Sequence, residues 1–385
     1  MSDFRWDAHA GLFLRSLSQP GLPKQYTSAD TSRVTLVYFC ITGLDLLGKL
    51  GTLTKAQNEA VREWVLAQQV HRVGDMSGGD VRRFGFRGGP FGGGDLASAG
   101  AEEPRAGGAG GTSGHGNWEQ DGEASTINGN GTEEGHLAMT FAALATLSAL
   151  GDDFESVDIE ATSLAIRSLQ QEDGSFRASH QDSTRDLRFT YCACAISRFL
   201  GDWSGIDRAK TVEYITRCFD FDGGVGLAPG RESSAGSTFC AIASLKLLDA
   251  IDNLSITRKE GLIEWCVQRQ DFGFQGRPNK LSDSCCSFWA GATLAILGEL
   301  VVADKEGARP FHLACQNPVI GGFAKRPDMP PDLLHSFYSV CWLSLCEEPG
   351  IEEMDVALGI TARTAQEIRL RSDNRHQRAK ETMSS

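Results

Sequence analysis

The chain has 385 residues, of which 41% are hydrophobic and 8% aromatic, enough apolar material for a large core. Its 37 basic and 50 acidic residues give a formal net charge of −13, which argues against a nucleic-acid binder and against attachment to anionic lipid through the chain's own charge. An anionic substrate would have to be met by a local cluster of cations.

In the first nineteen positions, Asp3, Arg5, Asp7 and Arg15 interrupt any apolar run of signal-peptide length. No stretch of 18 apolar residues follows, so no transmembrane segment is expected. The 11 cysteines are an odd number, and Cys40, Cys192, Cys194, Cys218, Cys240 and Cys341 fall inside apolar stretches. That usage predicts reduced, buried thiols in a cytoplasmic protein, not a disulfide framework.

Val34 to Leu47 is the first helix-like stretch, and it is apolar on every face. A turn Gly85-Phe86-Arg87 follows, then a segment, 88–131, that holds 15 of the 44 glycines and is expected to be a flexible insertion. His136 to Leu150 resumes the apolar helical pattern. From there the chain repeats. Phe176, Val225, Phe274 and Phe323 each follow a glycine turn, and successive members are 49 residues apart. A fixed period of this size marks stacked supersecondary units.

Each unit pairs an apolar helix with an amphipathic one. The apolar set continues as Phe189 to Leu200, Ser237 to Leu248, Ser284 to Leu297 and His335 to Leu345. The amphipathic set includes Ala161 to Gln170, Arg208 to Cys218 and Arg258 to Arg269. A helix that is apolar all round must be enclosed, and an amphipathic one can shield it from water. The expectation is an all-α protein: an α/α toroid of about six helix pairs, one domain over 1–350, with little strand. The polar tail 351–385 is expected to fray.

Asp283 and Cys285 stand where one apolar helix begins. One repeat on from Cys285 is residue 334, so His335 heads the next apolar helix at nearly the same place. Adjacent inner helices would bring the three side chains to one rim, where Asp, Cys and His with a position open suit a catalytic metal. Taken singly, they read better as a capping aspartate, a buried cysteine and a surface histidine, because such triples are common; the repeat puts the metal site ahead. Arg277 and Lys280, beside the first ligand, could meet a diphosphate or form a solvated surface pair. Phe189, Tyr191, Phe239 and Trp289 lie on inner helices, where they could line a cavity or simply pack. Gly43 to Lys49 resembles a phosphate loop, but Leu50 stands where Ser or Thr would hold magnesium.

The segments Thr31-Ser-Arg-Val-Thr35, Phe39 to Leu47, Gly85-Phe-Arg-Gly88, Gly135-His-Leu-Ala-Met-Thr140, Glu172-Asp-Gly-Ser-Phe176, Asp186-Leu-Arg-Phe189 and Gly236-Ser-Thr-Phe-Cys240 occur in a recognisable order with the two metal segments. From Thr31 to about Leu345, the chain resembles the β subunits of protein prenyltransferases. The resemblance implies a heterodimer with a prenyltransferase α subunit. It also implies one Zn2+ on Asp283, Cys285 and His335, and an isoprenoid diphosphate in the cavity beside Arg277, Lys280 and Lys325. Thr35, Tyr191, Trp289 and Leu334 would line the isoprenoid pocket, and His136 and Arg188 would lie near the acceptor peptide.

Thr35 and Leu334 match the geranylgeranyl enzymes of type I, where farnesyl enzymes carry bulkier tryptophan and tyrosine. Lys325 replaces a magnesium-binding aspartate of the farnesyl kind, so no magnesium requirement is implied. These positions imply geranylgeranyl diphosphate as donor and C-a-a-X acceptors ending mainly in Leu, such as Rho-type small GTPases. The pattern departs at Ser234 and Cys286, where the family has a histidine and a tyrosine that contact diphosphate; by the resemblance these two would be weaker diphosphate contacts here. Rab-type and farnesyl β subunits are the neighbouring alternatives, and a non-catalytic toroid scaffold is the alternative of another class. A terpene cyclase lacks support, because the aspartate-rich motifs it needs are missing from the sequence.

Overall fold

The computed structural model describes residues 3–18, 22, 24–70, 83–89 and 134–384. The expected insertion lies, from residue 90 to 131, outside the described residues.

Among the described residues, six inner helices close a ring: α2 (Arg33–Leu46), α4 (Leu137–Ala149), α6 (Leu187–Leu200), α8 (Ala235–Leu247), α10 (Ser284–Leu297) and α12 (Leu333–Leu345). Each packs on the next, and α12 returns to α2. Five amphipathic helices alternate with them on the outside: α3 (Lys55–Leu66), α5 (Ile159–Leu169), α7 (Arg208–Arg217), α9 (Ile256–Gln268) and α11 (Lys305–Cys315). The sixth outer place, beyond α12, is taken by the N-terminal helix α1 (Trp6–Ser18). A side chain at Gly273 would strike Phe311 of α11, and one at Gly322 would strike Leu12 of α1. The chain therefore closes its ring with its own beginning.

The repeat is built on burial. Phe86, Phe176, Val225, Phe274 and Phe323, the apolar residue of each turn, are all fully buried. Among the described residues, four two-stranded antiparallel pairs accompany the helices: β1 (Gln69–Val70) with β2 (Gly85–Phe86), β3 (Phe274–Gln275) with β4 (Ser282–Asp283), β5 (Phe323–Ala324) with β6 (Pro331–Asp332), and β7 (Met354–Asp355) with β8 (Ile360–Thr361).

All six inner helices end alike. The amides of Lys49, Asp152, Asp202, Ala250, Glu299 and Glu348 each donate to the carbonyl five residues back. Each follows a residue with positive φ, namely Gly48, Gly151, Gly201, Asp249, Gly298 and Glu347. This is the Schellman closure, which satisfies carbonyls that a helix end leaves free.

The segment from Ile351 departs from the expected fraying tail. Met354, Leu358, Ile360, Ala365 and Ile368 are buried, and α13 runs from Ala362 to Ser384. Its arginines cross the C-terminal ends of three inner helices: Arg363 pairs with buried Asp45, Arg371 donates to the Asp152 carbonyl, and Arg375 donates to the Leu200 carbonyl. Cations there complement the negative ends of the helix dipoles. The tail is polar because it binds backbone carbonyls as well as apolar side chains.

Candidate metal centre

The opposite rim carries the helix N-termini. The strand register pairs Phe274 with Asp283 and Phe323 with Asp332. Each buried phenylalanine thus fixes the backbone of the aspartate that caps the next helix. Asp283 caps α10, accepting from the Cys285 amide at 3.1 Å, and Asp332 caps α12, accepting from the His335 amide at 2.9 Å. The two repeat-equivalent residues are these aspartates, while His335 matches Cys286 in position.

Asp283, Cys285 and His335 come together, their ligand atoms all within 4.8 Å of one another. Asp283 is a helix cap and a candidate ligand at once, and His335 is buried rather than on the surface. The His335 Nδ1 lies 2.6 Å from Asp332 Oδ2, which turns Nε2 toward Asp283 Oδ1 at 3.4 Å. A ring nitrogen held by a carboxylate is the arrangement that orients a metal-binding histidine. Asp332 went unassigned in the sequence; an acidic cap three residues before a candidate ligand was the available signal.

Electrostatics ties the cluster together. Burial pushes the Asp283 carboxyl up, but hydrogen bonds from His335 and Cys285 and the nearby Lys325 charge outweigh it and hold its pKa below the ordinary value. Burial opposes a charged His335, yet its bonds to Asp283 and Asp332 raise its pKa well above the usual histidine range. The Cys286 thiol, hydrogen-bonded to Cys285, and then burial, push the Cys285 thiol up. A carboxylate, an imidazole and a thiol around one point can hold a divalent metal ion, and its binding displaces protons from the last two.

Lys325 extends from the loop between β5 and β6, with Nζ 3.5 Å from Asp283 Oδ2. Arg277 and Lys280 lie in the equivalent loop between β3 and β4. Arg277 pairs with Glu232 at 2.8 Å, and Lys280 is exposed. Asn279 and Asp328, 49 residues apart, both take positive φ, so the two loops share one turn, which makes Arg326 the repeat partner of Arg277. The sequence period could have shown that match. Ser234 is buried as the cap of α8, its hydroxyl accepting from the Ser237 amide. Cys286 faces the Cys285 thiol and the Gly276 backbone.

Below the rim an aromatic belt runs round the inner wall. Tyr38, Phe141, Tyr191, Phe239, Trp289 and Tyr338 make successive ring contacts at 4.2–5.5 Å between centroids, and Phe39 links Tyr338 back to Tyr38. Thr35, in the first turn of α2, donates to the Met139 sulfur, and half-buried Leu334 sits beside His335. Across the rim, His136 caps α4 and makes an edge contact with Phe189, and Arg188 grips Asp186. Burial lowers the His136 pKa, which favours the neutral ring.

Residues 4–360 match the family described as prenyltransferase alpha-alpha toroid domain. The chain belongs to that family. Among its prenyltransferase relatives, the geranylgeranyl transferase type-1 subunit beta of Arabidopsis thaliana is 37% identical over 93% of this chain and 89% of its own length. The protein of the same name from Dictyostelium discoideum is 35% identical over 92% of this chain and 95% of its own length. A solved structure titled as Candida albicans protein geranylgeranyltransferase-I complexed with GGPP superposes with a TM-score of 0.76 at 23% identity, over 96% of this chain and 100% of that one, and shows the same prenyltransferase fold.

Proposed function

We propose that the chain is the catalytic β subunit of a protein geranylgeranyltransferase of type I, working with a prenyltransferase α subunit. The observation that carries this reading is the Asp283–Cys285–His335 cluster at the rim of a toroid whose near full-length relatives bear that name. The donor set of one oxygen, one sulfur and one nitrogen suits zinc, whose ligand bonds of about 2.0–2.3 Å fit so tight a cluster. Bound there, zinc would hold a substrate cysteine as thiolate at neutral pH.

The chain's own residues do the rest. Asp332 fixes the His335 ring, and Asp283 holds its carboxylate ready through the helix amide. As the acceptor sulfur bonds to C1 of the isoprenoid, the C1–O bond breaks and diphosphate leaves with the electron pair. Lys325, Arg277 and Lys280 take up that charge, and Lys325, nearest the cluster, stands where it can do so without a magnesium ion. The aromatic belt gives the isoprenoid an apolar wall and faces an allylic cation with ring electrons. Thr35 and Leu334 leave room for a C20 chain, and His136 and Arg188 lie where a C-a-a-X peptide would pass. Phe221, Phe272 and Val319, exposed in three successive repeats beside this rim, are apolar surface of the kind a partner subunit covers.

Cys285→Ala in the full chain, co-expressed with an α subunit, tests the reading. Zinc content should fall to background, and C20 transfer to a C-a-a-Leu peptide should be lost. Retention of both would remove Cys285 from the site. A wild-type chain that holds zinc but transfers nothing to either C-a-a-Leu or C-a-a-Ser would favour the scaffold instead.

A further inference from the structure

Each inner helix but one has an early amide bonded to a backbone carbonyl of the following repeat. Leu137 donates to Ala178, Leu187 to Leu227, Ala235 to Gly276 and Ser284 to Lys325, at 2.9–3.0 Å. These four acceptors are spaced by 49 residues. In α2 the corresponding acceptor is the Gly88 carbonyl, bound by Val34 at 3.0 Å. Among the described residues, helix α12 is followed by β7, β8 and α13 instead of another such repeat. Its first amide, Leu333, donates to the phenolic oxygen of Tyr26 at 3.0 Å, across 307 residues of sequence.

Tyr26 lies in the nine-residue 3-10 segment Lys24–Ser32 that links α1 to α2. The N-terminal part of the chain thus replaces the missing repeat twice: α1 supplies the outer helix, and Tyr26 supplies the acceptor. The helix it closes carries His335, one of the three residues of the candidate metal cluster. Leu333 directly follows Asp332, whose carboxylate holds both the amide and Nδ1 of His335. An unanchored first turn would let Asp332 and His335 move together. Burial raises the Tyr26 pKa, and Asp332 adds to the effect, so the phenol stays neutral as an acceptor.

We infer that Tyr26 is a positioning residue for the metal centre, acting through the first turn of α12 on Asp332 and His335. This rests on the proposed zinc site. Unlike the carbonyls it replaces, the phenolic oxygen can be removed by substitution.

The test is Tyr26→Phe in the full chain, which deletes one oxygen and keeps the ring. Direct outer-shell partners of a metal ligand are worth about 10–100-fold in affinity, so Tyr26, one link farther out, should cost about tenfold or less. Zinc affinity measured against a competing chelator should weaken by that amount. The ligand-field bands of the cobalt-substituted protein should shift, and the Leu333 amide should lose protection from hydrogen exchange. Ser344→Ala is the control, because it removes a bond from Ser344 to the Glu352 carbonyl at the far end of the same helix. It should lower stability and leave zinc affinity and the cobalt spectrum alone. Lost protection at Leu333 with unchanged zinc affinity and cobalt bands would overturn the inference. So would a Ser344→Ala chain that loses as much zinc affinity as Tyr26→Phe. A wild-type chain with no tight zinc would instead sink the reading on which the inference depends.

Discussion

The two rims of the toroid are made by the same six helices, yet they differ in what they vary. At the C-terminal rim, all six helices close with one hydrogen-bond pattern and one positive-φ residue. At the N-terminal rim, the caps of α4 to α12 are His136, Asp186, Ser234, Asp283 and Asp332. Uniform closure fixes the ring, and helix α13 then seals it with arginines. Variable caps present different chemistry on a constant scaffold, at an end where backbone N–H groups and the positive end of each helix dipole favour anions. The contrast teaches where function enters a repeat fold. It enters where the repeat is free to differ.

Acid should break the comparison most strongly. His9 and His312 are fully buried close to the metal rim. His9 accepts from the Gly322 amide at 2.8 Å, and its pKa is lowered to about 4, chiefly by burial. Burial likewise lowers the His312 pKa to about 3, against the opposing pull of Asp283. Unfolding restores each to about 6.5, so between that pH and the folded values the unfolded state binds more protons. Their contribution is complete above about pH 6.5 and is lost as pH falls toward 4 and then 3. At about 1.4 kcal/mol per unit the two shifts together come to roughly 8 kcal/mol, comparable with the whole of an ordinary protein's stability. Hydrogen exchange across that pH range should show Gly322 and its neighbours losing protection before the Schellman amides. Simultaneous loss at both ends would deny the metal rim its special sensitivity.

Asp332→Asn should act only at the metal rim and by less. The amide oxygen can still cap α12, but it no longer offers His335 Nδ1 an anion. Zinc affinity should fall by about 10–100-fold, roughly 1.4–2.7 kcal/mol, with little change in melting temperature. Chelator competition together with a thermal melt separates these outcomes. A lowered melting temperature with unchanged zinc affinity would make Asp332 a cap and nothing more.

Much of this was legible in the sequence because burial imposes spacing. Phe176, Val225, Phe274 and Phe323 must be enclosed once per repeat, and that constraint shows as a period. The convergence of Asp283, Cys285 and His335 was legible because the same period places two helix heads side by side. Helix α11 was harder to see, since Pro310 interrupts its interior and removes a donor. The tail was misread because Arg363, Arg371 and Arg375 look solvated until the carbonyls beneath them are known. Tyr26 left no local signal, for its partner is fixed only by closure of the ring. Asp332 was hidden by its own ambiguity, as a cap and an orienting carboxylate demand the same residue at the same place.

Ser234 offers the smallest test. The family resemblance places a diphosphate-contacting group at this position, but here the hydroxyl is buried, capping α8 and lying 2.6 Å from the Ser237 hydroxyl. If the N-terminal rim varies its caps for function, Ser234 is the cap that has reverted to a purely structural task. Ser234→Ala should then cost about 1 kcal/mol, the ordinary worth of a serine cap, visible as a modest drop in denaturant midpoint. The KM for geranylgeranyl diphosphate should stay at the wild-type value, because Arg277, Lys280 and Lys325 are untouched. A several-fold rise in that KM would mean the hydroxyl leaves its cap when diphosphate binds. The rim would then carry no idle position between α8 and α12, and the division between fixed and variable ends would be sharper than the caps alone suggest.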